Sequence, residues 1–319
     1  LLGVKSDQIV VGWRGTPGKE GSTTGVAMWT PMDASGEKWR ETMIEVAKEY
    51  PDVTHLFICG GSKRGWTTWT SAIVDPRVSA ISPAVIDVLN VAQSLDNHFA
   101  SYGFWAPAVG DYEDMHIMER MHTPEFEALR KVVDPHCYVD RLTMPKYIMN
   151  SAGDQFFPAD GWKFYFDDLK GEKYLRYIAN TDHGLNPEAY MNMASFYNAV
   201  RTNTPRPKFA WKKNEDGSLE VTCETKPTKV LLWQATNPEG RDFRMEKIGK
   251  VYTSAPVTES APGVYRADIK APEKGWTAFF LEMEFPNPSF KLPFKFTTGV
   301  SIVPDTYPFT PPPGTGITK

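Results

Sequence analysis

The run His55-Leu56-Phe57-Ile58-Cys59-Gly60-Gly61-Ser62-Lys63-Arg64-Gly65-Trp66 takes an apolar strand through two glycines and a serine into a helical pattern. A strand that turns straight into a helix crowds its own backbone, and glycine reaches the φ/ψ values closed to other residues. A serine at the apex of such a bend is held up and exposed at the end of a sheet, where its hydroxyl is able to act as a nucleophile. The usual spacing, G-x-S-x-G, places a glycine two residues to either side of the serine. Gly60 meets the first place, whereas Arg64 fills the second and Gly65 follows one residue late. Gly-Gly-Ser also occurs in ordinary turns. On this segment alone a nucleophile and a plain turn weigh equally.

Two later segments tip the balance. Lys146 to Asn150 reads as a strand ending in Ser151-Ala152-Gly153-Asp154, and Tyr174 to Ile178 as another ending in Asn180-Thr181-Asp182-His183-Gly184. Ser, Asp and His at successive strand ends follow the chain order of an α/β-hydrolase triad. In that reading His183 takes the proton of Ser62, and Asp154 fixes the imidazole tautomer and stabilises the imidazolium. Asp87 and Asp160 are rival acids, and each of the three positions taken singly also fits a plain turn or cap. The backbone N–H of Lys63, the residue after the serine, is a candidate oxyanion donor. For a second donor the sequence offers Gly12-Trp13-Arg14-Gly15.

The remaining pattern fits an α/β sheet with an insertion. Ile9-Val10-Val11 is a short strand in a Gly- and Thr-rich start, and Trp39, Met43, Val46, Ala47 and Tyr50 recur with helical spacing. Trp66, Trp69, Thr70 and Ile73 share a helix face beyond the serine, and Val78 to Ile81 is the next strand. Residues 90–140 are aromatic-rich without clear strands and read as a cap; Tyr102, Phe104 and Trp105 either line a pocket or pack that insertion. Asp160 is placed to cap a helix carrying Trp162, Tyr165, Phe166 and Leu169, and Asn186-Pro187 opens one running to about Val200. His116 and His122, near Glu113, Asp114 and Glu119, lack metal-ligand spacing and read as a polar face.

Beyond Thr204-Pro205-Arg206-Pro207 the helical period disappears. Leu219 to Cys223, Lys229 to Ala235, Val264 to Ile269, Trp276 to Glu282 and Phe294 to Phe296 are strand candidates between Pro/Gly turns, a β-sandwich pattern. The expected division is an α/β domain over 1–203 with its cap at about 90–140, a β domain over 204–303, and a Pro-rich extended tail over 304–319.

Composition excludes several classes. A net charge of -4 and a pI near 5.9 with no basic stripe argue against nucleic-acid binding. No apolar run reaches the length of a membrane span. Cys59, Cys137 and Cys223 form neither a disulfide framework nor a metal set, and Cys59 reads as a buried thiol. No cofactor motif is present. The chain begins with neither Met nor a signal-peptide pattern, and it carries no N-x-S/T sequon.

The stretches Gly60 to Trp69, Val85 to Asn90, Asp134 to Tyr138, Asn150 to Phe157 and Asn180 to Leu185 resemble the PhoPQ-activated pathogenicity-related protein family, which includes autocrine proliferation repressors. Similarity continues at Trp233-Gln234-Ala235 and Arg241-Asp242-Phe243-Arg244. The resemblance implies an α/β-hydrolase-like domain followed by an immunoglobulin-like β domain, with Ser62, Asp154 and His183 as the functional trio. It also implies export or secretion, and more chain ahead of the serine in family members, so that the first sheet strands are missing here. Two functions follow as expectations. One is a serine hydrolase acting on an ester or amide of a small molecule or peptide. The other is a non-catalytic signalling or binding protein, with a protein partner at the β domain.

Overall fold

A computed structural model describes residues 8–14, 25–30, 48 and 53–312. Four parallel strands form its centre: β3 (Val53–Gly61), β4 (Val78–Ala84), β5 (Lys146–Ser151) and β6 (Lys173–Ile178), adjacent in that order. Antiparallel strands extend the sheet on both sides. Beside β3 lie β1 (Gln8–Arg14) and then β2 (Gly25–Thr30). The Ile9-Val10-Val11 strand therefore forms, while the helical spacing over 39–50 falls outside the described residues except for Lys48, which is helical.

The pleat sends alternate residues to two cores, as the period of two requires. Leu56, Ile58, Ile81 and Ile148 share one cluster with Trp69 of helix α1 (Lys63–Val74). Phe57, Cys59, Ala80, Tyr147 and Met149 share the other with Phe196 and Ala199 of a helix spanning Pro187–Arg201. That helix starts as its sequence predicts: Asn186 accepts a capping bond from the Ala189 N–H, and Pro187 occupies the first turn. Both faces of the central strands are covered, which is why they read as near-continuous apolar runs.

The insertion between β4 and β5 carries no strand. Helix α2 (Val91–Tyr102) and helix α3 (Pro124–Val133) are its main elements, joined by short helical turns. The expected α-helix after Asp160 is instead a 3₁₀ turn, Gly161–Phe164. Asp160 makes no capping bond there, because its carboxylate is taken by Arg241 and Lys163.

Past residue 204 all the strands predicted are present, together with Phe209–Lys213, Thr253–Pro256, Glu259–Ala261 and Ser301–Val303. They form two facing sheets. The smaller has the order Glu259–Ala261, Val264–Ala267, Leu219–Cys223, Phe209–Lys213. The other is built on Trp276–Phe285 with Lys229–Asn237, Phe294–Thr297 and Ser301–Val303, and it is continuous with the central sheet through Thr297 paired to Leu175. Phe279, Leu281 and Met283 of that sheet share a core with Leu219 and Val221 of the smaller one. The described part of the tail is irregular but docked: Tyr307 donates to Asn97 Oδ1 at 2.6 Å, and Phe309 packs where a Cβ on Gly103 would sit.

Gly65 explains the late glycine in the Ser62 segment. A Cβ there would lie 2.8 Å from Ile86 Cγ2 and 2.9 Å from the Ala84 carbonyl oxygen, so α1 approaches β4 only without a side chain. Gly65→Ala is expected to cost about 1–3 kcal/mol of stability through overpacking. Chemical denaturation measures this, and an unchanged midpoint would contradict the close approach.

Candidate active site

Ser62 stands between β3 and α1 with φ 58° and ψ -128°, a conformation an L-residue adopts only at a cost. Three contacts hold it there. The Ser62 N–H donates to the Ala84 carbonyl at 2.9 Å, which extends the β3–β4 pairing by one residue. The Ser62 carbonyl accepts from the Trp66 N–H at 3.1 Å and so starts the helix. A Cβ on Gly60 would meet Arg64 Cβ at 2.7 Å, so strand and helix touch across that glycine. The Ser62 hydroxyl makes no capping bond. The strain is repeated at Val85, just past β4, where a β-branched residue has φ 45°.

Asp154 and His183 follow β5 and β6, at the same C-terminal end of the parallel strands as Ser62. Their side chains meet: Nδ1 of His183 lies 2.9 Å from Asp154 Oδ2 and 3.1 Å from Oδ1. Asp154 also accepts from the Phe156 N–H at 2.8 Å, and the His183 N–H donates to Gln155 Oε1 at 3.1 Å. Burial pushes the Asp154 carboxyl up, and its bonds to His183 and to backbone N–H groups oppose that push. The Phe156 ring lies 4.3 Å from the imidazole and the Phe157 ring 6.1 Å from it. Nε2 of His183 is buried and has no hydrogen-bond partner among the described residues, Ser62 included.

Neither rival acid reaches His183. Asp87 accepts from the Tyr165 hydroxyl at 2.7 Å and from the Tyr177 hydroxyl, and Gly161 leaves room for its carboxyl. Burial pushes Asp87 up to about 7; the two tyrosine bonds pull against this, and the charges of Asp154 and Asp160 add to it. Asp160 is buried as well, yet the charges of Arg241 and Lys163 outweigh that burial and hold it far below the usual carboxylate range.

The backbone N–H of Lys63 opens α1 and is among the helix's N–H groups without an intrahelical acceptor. The second oxyanion candidate is misplaced. Because β1 runs antiparallel to β3, Trp13 pairs with His55 and Arg14 with Val53, at the opposite end of the strand from Ser62. Gly15 lies outside the described residues.

Tyr102, Phe104 and Trp105 pack the insertion. Tyr102 and Trp105 lie 4.7 and 5.6 Å from the His98 ring, and the Arg244 guanidinium sits over Tyr102 and Phe104 at 5.0 and 5.3 Å. His98 was not singled out by sequence. Its Nε2 accepts from the Ala106 N–H, so Nδ1 carries the proton and donates to the Phe156 carbonyl. Burial pushes His98 down to about 4 and keeps it neutral. Gln155 and Phe156 were also missed as site residues, although their places beside Asp154 signal them. His116 contacts Glu119 and His122 contacts Asp96; no group of metal-binding side chains occurs among the described residues. Cys59 and Cys223 are buried and Cys137 is exposed, and burial pushes the Cys59 thiol up to about 12.

Fold and site together define a mixed α/β protein with a strained strand–serine–helix turn and a buried Asp–His pair. The chain belongs to the family of PhoPQ-activated pathogenicity-related proteins, whose pattern it matches over residues 6–244. It is 33% identical over 336 residues to autocrine proliferation repressor protein A of Dictyostelium discoideum, covering 96% of this chain and 67% of that protein. Among solved structures it is similar to acetyl xylan esterase 1 of Thermoanaerobacterium sp. JW/SL YS485, at 15% identity and a TM-score of 0.38 over 50% of each chain. It is also similar to acylaminoacyl peptidase of Pyrococcus horikoshii, at 16% identity and a TM-score of 0.40 over 53% of this chain and 29% of that one. This chain thus spans half or less of either structure, and the likenesses carry neither substrate nor chemistry to it. No described helix is long and apolar enough to cross a membrane.

The Asp87 carboxyl gives a pH-dependent prediction. Its folded value of about 7 exceeds the unfolded value near 4, so between those limits the folded state holds a proton that the unfolded state releases. Its contribution to stability is therefore full below about pH 4 and lost as pH rises through about 7. The stability of the wild type relative to Asp87→Asn is expected to fall across that window and to level off above it. Urea titrations at intervals from pH 4 to 8 check this; a pH-independent difference would mean that Asp87 stays ionised when folded.

Proposed function

We propose that this chain is a serine hydrolase acting on an ester or amide through an acyl-enzyme. The observation that carries the reading is His183. With Asp154 accepting from Nδ1–H, the neutral imidazole has its lone pair on Nε2, and that atom is buried without a hydrogen-bond partner among the described residues. A base left unsatisfied in this way suits proton transfer from a nucleophile, and Ser62 stands at the same end of the parallel strands on a strained turn.

In the proposed cycle, Ser62 Oγ attacks the substrate carbonyl as His183 Nε2 takes its proton. The Lys63 N–H, at the positive end of α1, stabilises the oxyanion. His183 returns the proton to the departing alcohol or amine. Water then attacks the acyl group by the same route in reverse, releasing the acid and restoring Ser62. Asp154 stabilises the imidazolium at each stage, and its burial strengthens that pairing. No metal or cofactor enters these steps.

A second reading is favoured by the name of the Dictyostelium relative, a proliferation repressor. In it the chain is a secreted protein that keeps the fold but binds rather than cleaves, with the two-sheet region past residue 204 serving as an immunoglobulin-like binding domain. A fluorophosphonate probe separates the two readings. Wild type is expected to label on Ser62, Ser62→Ala not at all, and His183→Ala roughly 10²-fold or more slowly. Folded wild type that does not label would favour the binding reading.

A further inference from the structure

The segment from Arg241 to Tyr252 leaves the two-sheet region and crosses the loops that carry Asp154 and His183. Four of its hydrogen bonds fall on those loops. The Met245 N–H donates to the Gly153 carbonyl at 2.9 Å, one residue before Asp154. The Tyr252 hydroxyl donates to the Ala152 carbonyl at 3.4 Å. On the other loop Asn180, three residues before His183, bonds Tyr252 in both directions: its Nδ2 donates to the Tyr252 carbonyl at 2.9 Å, and its Oδ1 accepts from the Tyr252 N–H at 3.0 Å.

The fit is tight enough to define positions. A Cβ on Gly153 would lie 2.7 Å from the Thr181 carbonyl oxygen and 2.9 Å from Met245 Cβ. The Asp154 loop is therefore wedged between the His183 loop on one side and the segment on the other. Asn180 has φ 56°, a left-handed conformation that asparagine tolerates better than most residues. The segment's outer end is fixed in turn. Arg241 is buried and pairs with Asp160 at 2.7 Å while donating to Ser101 Oγ of the cap at 2.7 Å.

We propose that Asn180 and Tyr252 are positioning residues for the Asp154–His183 pair, so that the two-sheet region acts as a brace for the site. The proposal rests on the catalytic reading above only for its effect on rate. The effect on imidazole geometry stands without it. The brace reaches both loops at once, through Tyr252, and so fixes their separation as well as their individual shapes. The reciprocal pair joins Asn180 of the His183 loop to the Tyr252 backbone, while the Tyr252 hydroxyl reaches the Asp154 loop at Ala152.

Long-range ¹H–¹⁵N NMR of His183 reports its tautomer whether or not the protein is a catalyst. In wild type the Nδ1–H form is expected to dominate. Asn180→Gly keeps the left-handed backbone accessible but removes both bonds, and is expected to give a tautomer mixture. Asn180→Asp keeps the acceptor for the Tyr252 N–H and should restore part of the wild-type spectrum. With p-nitrophenyl acetate as substrate, kcat of Asn180→Gly should fall roughly 10- to 100-fold with KM little changed, the pattern of a misplaced catalytic group. If Asn180→Gly does not fold, Tyr252→Phe, which removes only the Ala152 bond, is read by the same spectrum and should show a smaller shift of the same sign. A wild-type tautomer population in the folded variants overturns the brace. Absence of fluorophosphonate labelling in wild type overturns the hydrolase reading and leaves the brace to be decided by the spectrum.

Discussion

The close crossing of β3 and α1 at Ser62 governs the architecture around it. A residue at φ 58° and ψ -128° is unstable by itself, and it persists only because its surroundings leave no alternative. Gly60 lets Arg64 come into contact, Gly65 lets the helix settle onto β4, and the Ser62 N–H is bound by Ala84. Since β4 is in turn paired to β5, and β5 to β6, the position of the serine is tied through the sheet to the loops carrying Asp154 and His183. The placement of the serine relative to those loops thus depends on all four central strands.

Much of this was legible in the sequence because it is local or periodic. The apolar runs ending in small residues gave the strands, and the ends of three of them marked Ser62, Asp154 and His183. The helix at Pro187 announced itself through Asn186, whose side chain and position both fit a cap. Failures came where a distant partner decides the outcome. Asp160 looks like a helix cap locally, but Arg241, far along the chain, claims its carboxylate. Thr253–Pro256 has no apolar alternation to betray it and is a strand only because Lys229–Asn237 offers an edge. The direction of β1 was equally hidden, since a short run of Ile and Val reads the same in either orientation.

The two-sheet region is bound to the α/β part by more than one backbone pair. Arg176 of β6 is buried and bonds Glu282 of the long strand Trp276–Phe285 at 2.5 Å, Glu188 at 3.1 Å and Asn192 at 3.1 Å. Burying a guanidinium is costly unless its donors are met, so this cluster favours one docking of the two parts over others. Tyr147 adds a bond from β5 to the Lys295 carbonyl at 2.7 Å. The docked end of the chain extends the same logic to the cap: the Tyr307 ring lies 4.3 Å from the Arg241 guanidinium, and its hydroxyl accepts from Lys163. Two clusters of buried charge, one at Arg176 and one at Arg241, therefore tie the sheet and the cap to the β region.

Along its main strand order the described sheet runs from Thr253–Pro256 at one end to β2 at the other, with Ser301–Val303 paired off that path to Trp276–Phe285. An exposed edge invites another chain to pair with it. Here the edge at Thr253–Pro256 is four residues long, all of them exposed, and it ends in a proline that has no N–H to offer. Joining the sheets at Thr297 and Leu175 covers two strands, β6 and Phe294–Thr297, that separate domains would have presented as edges, and the edge at Thr253–Pro256 is short and blunted. The feature that binds the two parts into one body thus also lowers the tendency of the molecule to self-associate through its strands.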